Sequence, residues 1–239
     1  MRIPQSCLIA GLVLATMITP AVHATGVAPE TSVVIVNEAD GEGTMVIKNT
    51  DSTPTLLYTT LEDIPEDNAA LLVVTPPVAR IEPGQTQLVR FVLNTTEPLK
   101  VARLKRVIFE GIPQTDKTKS KVQLSVRQNL PVVIQPAGVP VEREPWTQLQ
   151  WSITGDTLTV KNPSPYVVRL SQAVQLLPGA AHATLPATYV LPGASHSVSL
   201  ENAGSADRYE QVRISPATVY GYQVDTYDAK LATSVQPAQ

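Results

Sequence analysis

Prolines and glycines are spread along the whole chain at short intervals, 21 and 12 of them respectively in 239 residues. A proline inside a helix removes a backbone hydrogen bond and clashes with the preceding turn. Between these breakers lie short segments rich in Val, Ile, Leu, Thr and Tyr, and many of them alternate apolar with polar residues. Alternation with a period of two is typical of strands with one buried face. The pattern therefore predicts an all-β protein built as a sandwich or barrel.

The strand-like segments form two groups, which we interpret as two β-sandwich domains. The first group is TSVVIV, TMVIKNT, TLLYTTLED, QTQLVRFVL, RLKRVIFEGI, KVQLSVRQNL and PVVIQP; the second is LQWSI, DTLTVKN, YVVRLSQAVQL, TYVLPG, SHSVSL and EQVRIS. Residues 136–145 between them contain three prolines and no alternation, which is typical of a stiff connector. We predict domains at 25–136 and 146–239, with a linker at 137–145.

Residues 1–24 have the features of a secretory signal peptide. Arg2 supplies a positive charge, and the apolar run CLIAGLVLATMI is too short to span a bilayer. Val22-His23-Ala24 places small residues at the −3 and −1 positions of a cleavage site. We predict cleavage near Ala24, export, and no membrane insertion of the mature chain; a membrane anchor is the alternative. The single cysteine, Cys7, lies inside this segment, so the mature protein would rest on its own core without disulfides.

Most kinds of chemistry lack support in the sequence. A net charge of −3 with no basic run argues against a nucleic-acid partner. His182 and His196 occur in turn-like contexts, PGAAH and PGASH, and are predicted to be solvated loop residues and not metal ligands. The acidic group Asp63, Glu66 and Asp67 lacks the ordered spacing of a calcium loop, so we interpret it as a solvated turn. Without a G-x-S-x-G signature or a glycine-rich phosphate loop, we predict no enzyme, no metal and no cofactor.

Four pieces of the sequence together resemble periplasmic pilus chaperones of the PapD-like superfamily. These pieces are TPPVARIEPGQTQLVRF, the Ile-Pro after RLKRVIFEG, KVQLSVRQNLPVVIQP and VKNPSPYVVRL. The resemblance implies two immunoglobulin-like domains set as an L, a periplasmic location, and pilin subunits and an outer-membrane usher as partners. The segment after residue 113 is short, and it resembles that of the short-loop type or of a divergent, archaic branch.

The segment TPPVARIEPG is expected to have a structural role. Pro76, Pro77, Pro83 and Gly84 would preset the backbone for a bend into the next strand. The two charged residues of this segment, Arg80 and Glu82, are predicted to form an ion pair or to cap backbone groups. The alternative is that both side chains are simply solvated.

The resemblance also implies a mechanism, donor-strand complementation, in which the chaperone lends a strand to the open groove of an incomplete subunit. Val122, Leu124 and Val126 form an apolar row with the period of a strand, while Gln123 and Ser125 face the other way. We predict that this row fills the subunit's groove. The alternative is that these residues face the protein's own core.

The sequence departs from the best-known members of this superfamily at the subunit's terminal carboxylate. Those members hold it with an arginine and a lysine, whose positions fall here at Ser32 and Pro131. Candidate replacements are Arg127, Arg106 and Arg90, since a guanidinium can bind a carboxylate through two hydrogen bonds. The alternative is that these are ordinary surface arginines.

The predicted function is therefore that of a periplasmic chaperone, which binds and stabilises pilin subunits and delivers them to an outer-membrane usher. The alternative is a structural or adhesive two-domain β-sandwich surface subunit. Such a subunit usually carries a donor extension and one incomplete domain, whereas this chain has two complete sets of strand-like segments.

Overall fold

The computed structural model describes residues 26–113, 125–179, 181–201, 209–222 and 224–233. The predicted signal peptide, Val122, Leu124 and the predicted short loop after Pro113 lie outside these residues. Within them, regular structure is β apart from a short 3-10 helix at Pro145–Gln148. None of the described residues form a helix long and apolar enough to cross a bilayer.

The first domain is a β-sandwich whose strands follow the predicted alternation. Its strands are β1 Val27–Pro29, β2 Val34–Asn37, β3 Glu42–Asn49, β4 Thr55–Glu62, β5 Leu72–Thr75, β6 Val78–Ile81, β7 Thr86–Leu93, β8 Arg103–Pro113 and β9 Arg127–Gln135. They are hydrogen-bonded in the order β5-β7-β3-β2-β9-β8-β4-β6, with β1 beside β3. Strand β2 runs antiparallel to β3 and parallel to β9, so it connects the two faces of the sandwich.

The core of this domain consists of the inward members of the alternating strands. Phe91 of β7 and Phe109 of β8 meet edge to face with ring centroids 6.4 Å apart. Met45, Ile47 and Leu57 are buried beside them. Because side chains alternate across a strand, the polar residues between them face outward.

The second domain repeats this construction with shorter strands. They are β10 Gln150–Thr154, β11 Thr157–Lys161, β12 Val168–Leu170, β13 Ala173–Leu177, β14 His182–Thr184, β15 Tyr189–Val190, β16 Ser195–Ser199, β17 Gln211–Ile214, β18 Pro216–Ala217 and β19 Tyr227–Thr233. One sheet has the order β14-β13-β17-β19-β10-β11-β16 and a smaller one the order β15-β12-β18. Trp151, Leu158, Leu176 and Tyr209 are among its buried side chains. The two-sandwich, immunoglobulin-like fold predicted from the sequence is confirmed.

An apolar interface joins the two domains. Val33, Leu104 and Val133 of the first domain pack in one buried cluster with Val167 of the second. At its edge the backbone N–H of Ala102 donates to Pro165 O at 2.8 Å. Two tyrosine hydroxyls of the second domain add to this contact: Tyr166 donates to Pro140 O of the linker at 2.9 Å, and Tyr189 donates to Glu66 Oε2 of the first domain at 3.0 Å. The contact therefore combines apolar burial with directional hydrogen bonds.

Candidate functional site

The proline-rich stretch that resembles the superfamily forms the β5–β6–β7 connections. Pro76 and Pro77 lie between β5 and β6. Pro83 and Gly84 form a turn closed by a 3.0 Å hydrogen bond from Gln85 N to Glu82 O, with Gly84 at φ +72°. Proline followed by a positive-φ glycine is the arrangement of a type II turn. Arg80 Nε donates to Glu82 Oε1 at 2.8 Å between two exposed side chains.

Strand β9 carries the described end of the predicted donor segment. Its inward face buries Val132 and Ile134 in the domain core, and Leu130 is half-buried against the same core. Val126, on the same face and just before β9, is 47% exposed. Gln128 stands between Leu130 and Val126 on this face, so Val126 is an exposed apolar side chain that lies beyond the end of the domain's own core.

Within the part of the chain that the structure describes, one edge of β9 is also unpaired along the same stretch. On the side facing β8, pairing extends from Arg127 to Ile134. On the other side, the described residues pair β9 with β2, and this pairing begins only at Val132. Unpaired edge groups are a template for pairing with another chain. Pro131 lies where this edge is still open, which is where a strand tolerates proline.

Arg127 is placed on the outward face of β9, at its start. Its Nε donates to Glu110 Oε2 at 2.8 Å, and Ser125 Oγ donates to the other carboxylate oxygen at 3.0 Å. These hydrogen bonds, that from Arg127 first, lower the pKa of Glu110. Arg127 is thus already paired, and it lies about 13 Å along the strand from Pro131.

Arg106 occupies a different environment, directly across the β8–β9 pair from Pro131. Its Nε donates to Asn129 Oδ1 at 2.6 Å and its Nη2 to Asn129 O at 2.7 Å, and both of these acceptors are neutral. Burial lowers the pKa of Arg106, an effect that Tyr189 and Glu62 oppose. Among the described residues, no carboxylate lies within ion-pair distance of this guanidinium.

A second arginine, Arg169 of the second domain, lies close to Arg106. Burial, and then the charge of Arg106, lower the pKa of Arg169. Its Nη1 atom is buried without a hydrogen-bond partner in the described part of the chain. Two guanidinium groups from different domains therefore share one electrostatic environment. Arg169 belongs to the segment VKNPSPYVVRL, but the sequence analysis gave it no functional role.

Arg90, the third candidate, pairs with Glu42 across the β3–β7 strands. Arg90 therefore already has a carboxylate partner, and its strand β7 is separated from β9 by β3 and β2 in the strand order.

Ser32 and Pro131 are the positions at which the sequence analysis places the missing arginine and lysine, and the two residues have different neighbours. The Ser32 hydroxyl donates to Gly221 O of the second domain at 3.3 Å. A Cβ atom on Gly221 would lie 2.3 Å from Ser32 Oγ, and Gly221 has a φ of +86°, so this close approach favours glycine. The loop that brings Gly221 here was not foreseen; its only sequence signal is the pair of aromatic residues in VYGYQ.

Two sequence-based interpretations are wrong. His182 and His196 lie in strands β14 and β16, not in loops. The acidic turn is not merely solvated, because buried Lys105 donates to Asp63 Oδ1 at 2.7 Å and to Asp67 Oδ1 at 3.1 Å. Both errors arise because local turn signals do not report which side chains the rest of the fold brings close. In the ranges that the structure describes, no group of three or more potential metal ligands occurs.

Both domains match known family descriptions. Residues 26–140 match "Pili and flagellar-assembly chaperone, PapD N-terminal domain", and residues 144–227 match "Pili assembly chaperone PapD, C-terminal domain". The chain belongs to the PapD-like family of pilus-assembly chaperones. This agrees with the chaperone hypothesis and not with the surface-subunit alternative.

Individual relatives support the assignment. The uncharacterised fimbrial chaperone YhcA of Escherichia coli (strain K12) is 47% identical over 205 residues, which is 85% of this chain and 90% of YhcA. The E. coli chaperone DraB has a TM-score of 0.69 at 24% identity, covering 88% of this chain and 98% of DraB. The SafB chaperone of Salmonella enterica, in complex with the SafA pilin, gives a TM-score of 0.71 at 21% identity, covering 88% and 99%. At these identities the two structures support the fold.

Proposed function

We propose that this protein is a periplasmic chaperone that holds pilin subunits on strand β9 and delivers them to an outer-membrane usher. The observation that carries the proposal is the combination of a strand edge that no described strand covers before Val132 with an exposed apolar side chain, Val126, beyond the end of the domain's core. The protein acts by binding, and the proposal requires no catalytic step.

The physical basis is strand addition. A subunit strand beside the open edge of β9 gains main-chain hydrogen bonds, and the alternate side chains of the donor enter its groove. Burying an aliphatic side chain in that groove contributes about 1.5–3 kcal/mol. Val122 and Leu124 continue the row of Val126 with the same period, so we propose that all three residues occupy the groove.

We further propose Arg106 as the anchor for the subunit's terminal carboxylate, in preference to Arg127 and Arg90. Arg106 is directly across from Pro131, and its described hydrogen bonds go to the neutral Asn129. The two other arginines each already have a carboxylate partner.

The donor row is tested by co-expressing the chaperone with a pilin subunit that the wild-type chain recovers from the periplasm. Leu124→Asp and Val126→Asp should abolish recovery of the subunit and leave the melting temperature of the free chaperone within a few degrees. Val141→Asp is the matched control, because Val141 lies in the linker and is 75% exposed. Undiminished recovery with both donor variants would refute the proposal.

The anchor is tested with the same subunit and a version extended by a short Gly-Ser tail, which moves the carboxylate. Arg106→Ala should weaken capture of the native subunit more than tenfold and affect the extended subunit less. Asn129→Ala is the control, because it removes the acceptor side chain of Arg106 and keeps the cation. Equal weakening of both subunits by Arg106→Ala would show that Arg106 does not hold the terminal carboxylate.

A further inference from the structure

A loop of the second domain, Thr218 to Tyr222, lies against the first domain beside Ser32. Three hydrogen bonds within the loop fix its shape: Thr218 N to Tyr222 O at 2.8 Å, Gly221 N to Thr218 O at 2.9 Å, and Tyr222 N to Thr218 Oγ1 at 3.0 Å. The Ser32 hydroxyl holds its tip through Gly221 O. The close approach of Gly221 leaves no space between the loop and Ser32. The loop is therefore a docked element and not a loose connection.

The two aromatic side chains of this loop are nevertheless exposed. Tyr220 is 61% and Tyr222 70% exposed, the latter among the highest values for large apolar side chains in the described residues. Tyrosine presents a rigid apolar ring with a hydroxyl at its end and is enriched in protein interfaces. A fixed loop that displays two such rings next to a second domain has the composition of a contact surface.

A cavity of about 290 Å³ lies between these tyrosines and the first domain. Gln128 and Leu130 of β9 line its wall, together with Pro29 and Ser32. Glu30 is the one charged residue among its described lining residues, which include no cation. The cavity therefore suits an uncharged, apolar or aromatic group better than a carboxylate.

The cavity is continuous with the proposed donor surface. Val126, Gln128 and Leu130 lie on one face of the β9 segment because strand side chains alternate. The open edge of β9 runs along these residues and closes at Val132, where β2 begins to pair. An extended segment that pairs with this edge must end near Leu130, and so beside the tyrosines.

We infer that Tyr220 and Tyr222 form a second-domain contact that receives an apolar side chain at the end of the subunit strand bound along β9. This inference rests on the proposed function. It adds a pair of residues that determines how long a subunit stays bound and which subunits are bound. The rings supply apolar contact where the cation of better-known relatives is replaced by Ser32. The subunit would thus touch both domains, although its donor strand comes from one.

The test uses the complex of the full-length mature chaperone with the pilin subunit that it recovers on co-expression. Tyr220→Ala, Tyr222→Ala and the double variant are compared by their rate of subunit loss to an excess of labelled wild-type chaperone. We expect at least tenfold faster dissociation for the double variant and smaller increases for the single ones. Tyr220→Phe with Tyr222→Phe should stay within threefold of wild type, because the rings remain. Tyr58→Ala is the matched control, since Tyr58 is exposed on β4, away from the open edge of β9.

Gly221→Ala provides an independent variant that keeps both rings. Its Cβ would lie 2.3 Å from Ser32 Oγ and 3.2 Å from Val33 Cγ1, at a backbone φ of +86°, so the contact of the loop with the first domain must change, and dissociation should again accelerate. Dissociation of the double alanine variant within twofold of wild type would overturn the inference. If Leu124→Asp and Val126→Asp still abolish recovery in that case, the proposed function stands and only the tyrosine contact fails. If those two substitutions also have no effect, the proposed function itself falls.

Discussion

The two domains place their last strands in the same way, yet only one of them continues as an apolar row. Strand β9 runs antiparallel to β8 and then parallel to β2, and β19 runs antiparallel to β17 and then parallel to β10. Before β9 comes the exposed apolar residue Val126, whereas Asp225 and Thr226 precede β19. The shared arrangement closes a sandwich, and the apolar residues that precede β9 are the feature from which we propose a binding surface at one edge.

The domains also share a corner, which shows what the fold itself requires. Asn49 at the end of β3 donates to Thr53 O and Ile81 O, both at 2.9 Å, and its Oδ1 accepts from Asp51 N. Asn162 after β11 makes the equivalent bonds, to Tyr166 O at 2.8 Å and Val190 O at 3.0 Å, and its Oδ1 accepts from Ser164. Both side chains are fully buried. A role in binding is not needed to explain either asparagine, because each side chain forms hydrogen bonds with buried backbone groups.

The largest difference between the domains in the effect of a substitution on stability should come from a buried cluster of charged residues in the first domain. Arg103 and Lys105 both contact Asp67, whose side chain is 8% exposed, while the Arg213–Asp228 pair of the second domain is much more exposed. Asp67→Ala leaves the Lys105 ammonium buried with fewer partners, so we expect a loss of about 3 kcal/mol in the free energy of unfolding. Urea unfolding measures this loss, and Asp228→Ala should lower the free energy of unfolding clearly less.

The same cluster predicts an acid response. Burial raises the pKa of Asp67, but hydrogen bonds from Arg103, Ala69 N–H and Lys105 outweigh it and lower the pKa below its ordinary value. A lowered folded-state pKa stabilises the protein above the unfolded value, and this contribution is lost as pH falls through the folded pKa, below about pH 4. The stability difference between wild type and Asp67→Ala should therefore shrink between pH 7 and pH 3. A constant difference would contradict this assignment.

The shared corner is tested by Asn49→Ala and Asn162→Ala, each of which should cost about 2–3 kcal/mol because buried backbone groups lose their partners. Both tryptophans, Trp146 and Trp151, lie in the second domain. Tryptophan fluorescence therefore reports the Asn162 variant directly, while circular dichroism reports both variants. If Asn49→Ala shifts the fluorescence transition equally, the two domains unfold as one unit.

Smaller and equal effects are expected at the Pro-Gly turns of the two corners. Gly84 has φ +72° and Gly193 φ +73°, and no atom lies within 4 Å of a Cβ added at either position. Alanine there adds only backbone strain, so each substitution should cost about 1 kcal/mol in thermal unfolding. Gly138→Ala is the control, because its site is equally open and its φ is not positive. A cost at one corner alone would show that the two turns are not equivalent.

The smallest effect is expected for the ion pair of the family motif, Arg80 with Glu82. Both side chains are more than half exposed. Exposed pairs contribute little, so Arg80→Ala should change stability by less than about 0.5 kcal/mol, and less still at high salt. A larger loss in urea unfolding would mean that Arg80 has a packing role in the first domain with no counterpart in the second.

Local sequence patterns determined much of the architecture. Alternation located most long strands, because a half-buried strand must repeat every two residues. Pro83-Gly84 specified its turn through backbone preferences that hold in any context. Short strands such as β1, β5 and β6 were missed, since two to four residues carry too little periodicity. Pro131 divided one predicted strand in two, whereas the structure continues β9 through it because one edge is open there.

The candidate site depended on contacts between distant parts of the chain. The sequence named three arginines, and only the tertiary structure showed that Arg127 and Arg90 have carboxylate partners while Arg106 lies across from Pro131. Ser32 meets Gly221, 189 residues away. Period and turn chemistry are set by neighbours in the chain, so the sequence alone determined them. Pairing of charges is set by the register of neighbouring strands, and docking of the Gly221 loop by packing of the two domains; no local pattern encodes either.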